Sequence, residues 1–288
     1  MNNADWLQFY LVTHDKLRDI LSPSDPITCP AQLWKIGPKL VPFCMATAIY
    51  YAVFIPNDEP STFAMVLKCL PVLSLIFFVL SHGISFGQEH AYSRRVLFGL
   101  TFSMFGDAFL IYKEAFVHGV AAFAIAHILY ISAFGFSPLK PAIGGILGGV
   151  AFVGYYFAAP FRNGPLVYII PMYIILLTVM CWRAIARVQF FEELWTWTKL
   201  CSSVGGIVFV ISDTVLGVNR FLVPVPYHQA IIMTTYYFAQ LMISLSVVDS
   251  AKLSALEKER ECTAPHKETD KAVEGKVGAE VTDAKKQV

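Results

Sequence analysis

The chain is 288 residues long, 56% hydrophobic and 15% charged, with a formal net charge of +1. Soluble domains run about 45–50% apolar and about 25% charged, so this composition, with a mean hydropathy of +0.56, excludes an ordinary soluble enzyme. The near-zero charge argues against nucleic acid, which demands a basic face. What remains is an integral membrane protein with polar ends.

Residues 1–38 form an N-terminal segment in which Trp6, Phe9, Tyr10, Leu17 and Leu21 alternate with charges, the pattern of an amphipathic surface helix. Asp5, Asp15, Lys16, Arg18 and Asp19 fall where a secretory signal would need an apolar run. Since a spanning helix takes roughly 20 mostly apolar residues, eight spans are expected, at about 39–55, 62–81, 95–112, 116–136, 140–159, 165–186, 199–218 and 228–248. Together they make an all-α, eight-helix membrane domain over 39–249. Turn clusters separate them, among them Pro56 to Pro60, Gly87 to His90, Ser137-Pro138, Asn163-Gly164-Pro165 and Pro224-Val225-Pro226. Gly144, Gly145, Gly148 and Gly149 make two overlapping Gly-x3-Gly pairs inside a span, which reads as helix packing rather than a phosphate loop. Val188 to Trp197 reads as an interfacial loop with Trp195 and Trp197 at headgroup level. Residues 250–288 alternate Lys and Glu with almost no aromatics, as a disordered tail does.

Charge sets the orientation. With the N-terminus in the cytosol, that side carries Lys16, Arg18, Lys35, Lys39, Arg94, Arg95, Lys140, Arg183, Arg187, Lys199, Lys252, Lys258 and Arg260, against only Lys113, Arg162 and Arg220 opposite. Both termini are therefore expected to be cytosolic. The final Lys285-Lys286-Gln287-Val288 resembles the dilysine retrieval signal of endoplasmic reticulum membrane proteins; a Lys-rich tail ending so by chance is the alternative. The six cysteines show no CxxC or finger spacing and read as reduced packing residues, with neither zinc nor a disulfide framework expected.

Ionisable groups inside spans are costly and usually mark function or an essential pair. Lys68, Asp107, His127 and Asp213 lie within spans, with Tyr130, Tyr236, Tyr237 and Gln240 as polar neighbours. At about 1.5 Å per residue, Asp107 and Asp213 sit roughly 18–21 Å from the cytosolic boundary, and Lys68, His127 and Tyr237 fall in the same layer. One shared polar cavity, between the midplane and the lumenal half, explains five groups on five helices better than five accidents. Faces agree, since Ser103 and Asp107 share a stripe, as do Gly206, Phe209 and Asp213. Spans three and seven repeat the pattern Gly-x6-[Gly/Ser]-Asp-x2-Leu, from Gly99 to Leu110 and from Gly205 to Leu216, which suggests a duplicated four-helix unit. The plainer readings are a structural ion pair between Lys68 and one Asp, packing tyrosines, and an interhelical His127. His118 and His228 stand at the lumenal boundary, and Arg220 follows the seventh span. No Gly-x-Ser-x-Gly elbow or His-Glu-x-x-His motif occurs, and no metal or cofactor is expected.

On Lys68-Cys69-Leu70-Pro71, Gly106-Asp107-Ala108-Phe109-Leu110-Ile111, Phe116-Val117-His118-Gly119, Ala126-His127-Ile128-Leu129-Tyr130, Ser212-Asp213 and Ile232 to Gln240, the chain resembles the lysoplasmalogenase, or YhhN-like, family of eight-span membrane proteins. The resemblance runs from about Lys39 to Ser250 and is nearest to the vertebrate members. It implies hydrolysis of the vinyl-ether bond of lysoplasmalogens to a fatty aldehyde and glycerophosphoethanolamine or glycerophosphocholine. It also implies that Asp107 and Asp213 are the catalytic pair; from their positions in or beside the same layer, Lys68, His127, Tyr130, Tyr237, Gln240, His118, His228 and Arg220 are expected to bind or support. That reaction needs one protonated carboxyl to deliver a proton to the alkenyl carbon and one carboxylate to face the oxocarbenium ion. Burial favours the neutral form of a carboxyl and a nearby ammonium the charged form, so two aspartates can take opposite roles, as in glycosidases. The sequence does not say which takes which. The partners expected are a lysophospholipid and the bilayer, with a homodimer left open. The competing class is a lipid receptor or small-solute transporter that uses the same cavity without turnover.

Overall fold

The computed structural model describes residues 29–54, 59–84, 86–158, 166–188 and 197–248. The N-terminal segment as far as residue 28, the loop over 189–196 and the tail over 250–288 lie outside the described residues. Among the described residues, eight α-helices run α1 Cys29–Val53, α2 Thr62–Leu80, α3 Ala91–Phe109, α4 Phe116–Phe134, α5 Pro141–Ala158, α6 Leu166–Ala186, α7 Trp197–Phe221 and α8 His228–Leu245. Single 3-10 turns, Gln88–His90 and Lys113–Ala115, precede α3 and α4. The described residues contain no strand, and the protein is an all-α polytopic membrane protein.

Each expected span is a helix, and the departures have physical causes. The first helix begins at Cys29, ahead of the apolar stretch, because the polar turns of a helix need no lipid. Among the described residues, five segments are long and apolar enough to cross a bilayer: Ile36–Val53, Thr62–Leu80, Lys113–Phe134, Leu166–Ala186 and Thr198–Phe221. α5 is apolar but short, over Pro141–Tyr156. α3 carries the charged Arg94, Arg95 and Asp107, and α8 is lined with Gln229, Thr234, Thr235 and Gln240. Both belong to the wall of the bundle: Asp107, Gln229 and Gln240 are buried against protein, whereas Arg95 and Thr234 are exposed.

Six helices close a ring in the order α2, α3, α4, α6, α7, α8 and back to α2. α1 packs outside the ring on α2, and α5 packs outside it on α6. The second set of four helices therefore repeats the neighbours of the first, and the repeated Gly-to-Leu pattern falls on the matched pair α3 and α7. Aromatic edges fill the ring's interior: Phe123 meets Tyr236 at 5.8 Å between centroids, and Phe209 meets Tyr236 at 5.6 Å.

Local signals explain the ends. Ser61 caps α2 by accepting from the Ala64 amide at 3.1 Å. α4 stops at Gly135, whose φ of +73° a side chain would resist. The fully buried Arg183 then ties the following connector to α6, donating to the carbonyls of Gly135 at 2.6 Å and Pro138 at 2.9 Å. Carbonyl dipoles answer its charge there.

α7 and α8 approach closely at Gly205, where a Cβ would stand 2.8 Å from Ile243 Cγ1 and 3.0 Å from the Ala239 carbonyl oxygen. A Cβ at Gly145 on α5 would meet nothing within 4 Å. Gly205→Val is expected to cost about 1–3 kcal/mol through overpacking, read as a lower thermal midpoint in detergent, whereas Gly145→Ala should not lower it. Equal midpoints for the parent and Gly205→Val would show that the two helices do not make this contact.

Candidate functional site

Asp107 sits two residues from the end of α3, where the repeat brings it to the interior; it is 2% exposed. Its Oδ2 accepts from the Tyr236 hydroxyl of α8 at 2.6 Å. Asp213, on the matched helix α7, has 11% of its side chain exposed. Its Oδ2 accepts from the Tyr173 hydroxyl of α6 at 2.5 Å, and His127 Nε2 lies 3.7 Å from the same oxygen. His127 Nε2 is also 3.0 Å from the Tyr173 oxygen. Each carboxyl is thus held through one oxygen by a tyrosine from another helix. Among the described residues no hydrogen bond engages either Oδ1.

Both carboxyls line one cavity of about 190 Å³, together with Lys68, Tyr236, Ser212, Arg220 and His228. Asp213 and Lys68 are both near enough to act on Asp107 electrostatically. Lys68 is 5% exposed, and no carboxylate comes within 4.0 Å of its ammonium among the described residues. Leu110, Ile111, Phe116, Phe123, Leu216, Ile232 and Met233 supply apolar walls. The cavity runs towards the α3–α4 connector and the end of α7, where the exposed Lys113 and Arg220 mark its meeting with the surface. The Arg220 guanidinium lies 5.1 Å from the centroid of the Phe116 ring.

The structure thus brings together Asp107, Asp213, Lys68, Arg220 and His228 of the residues expected from sequence. His127 stands behind the cavity and reaches Asp213 beside Tyr173. The others lie elsewhere, each for a visible reason. Tyr237 turns to the α2 backbone, donating to the Lys68 carbonyl at 2.8 Å and closing the ring. Tyr130 donates to Gln240 Oε1 at 2.9 Å in a separate buried pair, its ring pressed over Gly99. His118 is exposed, with its ring 5.9 Å from that of Phe109. Sequence reasoning missed Tyr173, which stands among isoleucines beyond Pro171 and reads as packing. It also chose Tyr237 for the site, where the structure puts the neighbouring Tyr236 on Asp107. Among the described residues no three His, Cys, Asp or Glu side chains gather as a metal-holding group.

Residues 63–247 match the YhhN family. The lysoplasmalogenase TMEM86A of Bos taurus is 41% identical over 216 residues, covering 74% of this chain and 90% of that protein. The lysoplasmalogenase TMEM86B of Sus scrofa is 41% identical over 224 residues, covering 77% of this chain and 92% of that protein. A lysoplasmalogenase homolog of Dictyostelium discoideum is 28% identical over 196 residues, 55% of this chain and 64% of that protein. No solved structure matches the chain.

The two adjacent tyrosines of α8 should separate in experiment. Tyr237→Phe removes a buried hydrogen bond between α8 and α2 and is expected to cost about 1 kcal/mol, seen as a lower thermal midpoint. Because Tyr237 does not line the cavity, whatever chemistry the folded protein performs should survive. A chemical defect without a stability loss would put its hydroxyl in the cavity instead.

Proposed function

Because the chain belongs to the YhhN family, we propose that it is a lysoplasmalogenase, splitting the vinyl-ether bond of a lysoplasmalogen into a fatty aldehyde and glycerophosphoethanolamine or glycerophosphocholine. The observation that carries this reading is the pair of carboxyls on one cavity, each with Oδ2 engaged by a tyrosine and with Oδ1 meeting no hydrogen-bond partner among the described residues.

Vinyl-ether hydrolysis starts with a proton delivered to the alkenyl carbon away from oxygen. The carbon beside oxygen becomes an oxocarbenium ion; water adds to it, and the hemiacetal collapses to aldehyde and alcohol. Asp107 and Asp213 supply the two functions required, a carboxyl that carries the proton and a carboxylate that faces the cation and takes the proton of the water. One carboxyl keeps its proton, and Lys68 in the same cavity balances the negative charge of the other in the hydrocarbon layer. The apolar walls suit the first carbons of the alkenyl chain. Arg220, with Lys113 and His228 beside it, suits the phosphate at the surface end, where a guanidinium can bind two oxygens at once. A second acyl chain, leaving from the neighbouring glycerol carbon, would meet this polar stretch. Exclusion of that chain selects the lyso form.

The cavity then lies in the lumenal half of the bilayer, both termini face the cytosol, and the protein resides in the endoplasmic reticulum. The Lys and Arg asymmetry supports that orientation.

Aldehyde release by purified protein in micelles tests the reaction. Asp107→Asn and Asp213→Asn should each lower turnover by about 100-fold or more, the scale of a positioned acid or base, while the lysolipid still binds. The sn-2-acylated parent should turn over far more slowly than the lysoplasmalogen. Full activity in either variant would end the two-carboxyl mechanism, and equal rates for the two lipids would end the lyso preference. Protease added to sealed microsomes should remove the tail after Ser250; a protected tail would reverse the orientation.

A further inference from the structure

Proceeding from the lysoplasmalogenase reading, we infer that Tyr173 is the positioning residue for Asp213, and that His127 fixes the direction in which the Tyr173 hydroxyl points. Unlike Tyr236, which holds Asp107 and also lines the cavity, Tyr173 stays outside it. Its reach into the chemistry runs through Asp213 alone.

The geometry fixes each proton in this group. Tyr173 has one hydroxyl proton and gives it to Asp213 Oδ2 at 2.5 Å. Its oxygen is then an acceptor for His127 at 3.0 Å, so the imidazole carries its proton on Nε2. The ring cannot turn away. It is fully buried, with Phe209 edge-on at 4.9 Å between centroids and the Tyr173 ring at 5.2 Å. On its far side Nδ1 is buried and meets no hydrogen-bonding group among the described residues. The chain His127, Tyr173, Asp213 therefore ends at Nδ1 and has nowhere to pass a proton. It holds the carboxyl; it does not conduct.

The reaction makes such a hold valuable. A carbon atom is a poor hydrogen-bond acceptor, so an alkenyl group does not draw an acid into line before the proton moves. The alignment has to come from the protein, and a carboxyl free to rotate would present either oxygen at any angle. Pinning Oδ2 leaves Oδ1 as the oxygen for the cavity. When Asp213 serves instead as the base, the same pin sets where the attacking water must sit. An error of about 1 Å at a reacting atom can cost 100-fold in rate.

The experiment uses the full chain in micelles and measures kcat and KM for lysoplasmalogen in Tyr173→Phe, His127→Leu and His127→Gln, with thermal unfolding as a check on folding. Tyr173→Phe is expected to lower kcat by about 10- to 100-fold with KM within about two-fold, since no substrate contact is lost. His127→Leu should share the defect, and His127→Gln, which returns an N–H near the Nε2 position, should recover most of it. A merely structural role would lower the midpoint and leave kcat per folded molecule intact, and that result overturns the inference. So does a Tyr173→Phe enzyme with the parent's kcat. Should the parent release no aldehyde, the functional reading fails, and isotope-edited infrared spectra decide the positioning separately. The carboxyl band that Asp213→Asn removes must shift in Tyr173→Phe; an unshifted band overturns the contact itself.

Discussion

A carboxyl in the hydrocarbon layer has lost its water, and the protein must replace that water with donors or a cation, at a cost of several kcal/mol if it does not. Asp107 and Asp213 impose this requirement on every helix of the ring. Tyr236 comes from α8, Tyr173 from α6, His127 from α4 and Lys68 from α2. The six ring helices each contribute one member of the group. α1 and α5, which contribute none, are the two left outside.

The order of neighbouring helices repeats after four helices, but the chemistry does not. α3 and α7 present matched aspartates, and α2 and α6 stand at matched places beside them. Near Asp107 the α2 side chain is a lysine, whereas the α6 side chain on Asp213 is a tyrosine backed by a histidine. Two four-helix sets with matching neighbours thus give the same functional group two different environments. That difference is what an acid and a base in one cavity require.

Much of this was legible in the residues. Helices could be placed because apolar runs of spanning length are broken by Pro, Gly and Asn clusters, and helix rise alone put Lys68, Asp107 and Asp213 in one layer. What rise cannot give is direction around the axis at a helix-helix contact. Tyr236 and Tyr237 are neighbours, yet one donates to Asp107 and the other to the Lys68 carbonyl. His118 and His228 occupy similar positions at the starts of α4 and α8, yet only His228 lines the cavity. Tyr173 carried no signal at all, since its meaning comes from Asp213, 40 residues away in the chain. Polar residues announce themselves in an apolar sequence by their cost; amphipathic ones do so only through their partners.

The cavity's volume of about 190 Å³ is below the roughly 300–1,000 Å³ that encloses a drug-sized ligand. Under the proposed function a substrate's fatty chain cannot be housed there, so all but its first carbons must remain among the neighbouring lipids. The bilayer is then half of the binding site. Occupancy will follow the mole fraction of substrate in the plane of the membrane rather than its bulk concentration, and dilution by other lipids will act as a competitive inhibitor does. Products part company for the same reason: the aldehyde stays dissolved in two dimensions, while the headgroup fragment leaves into water.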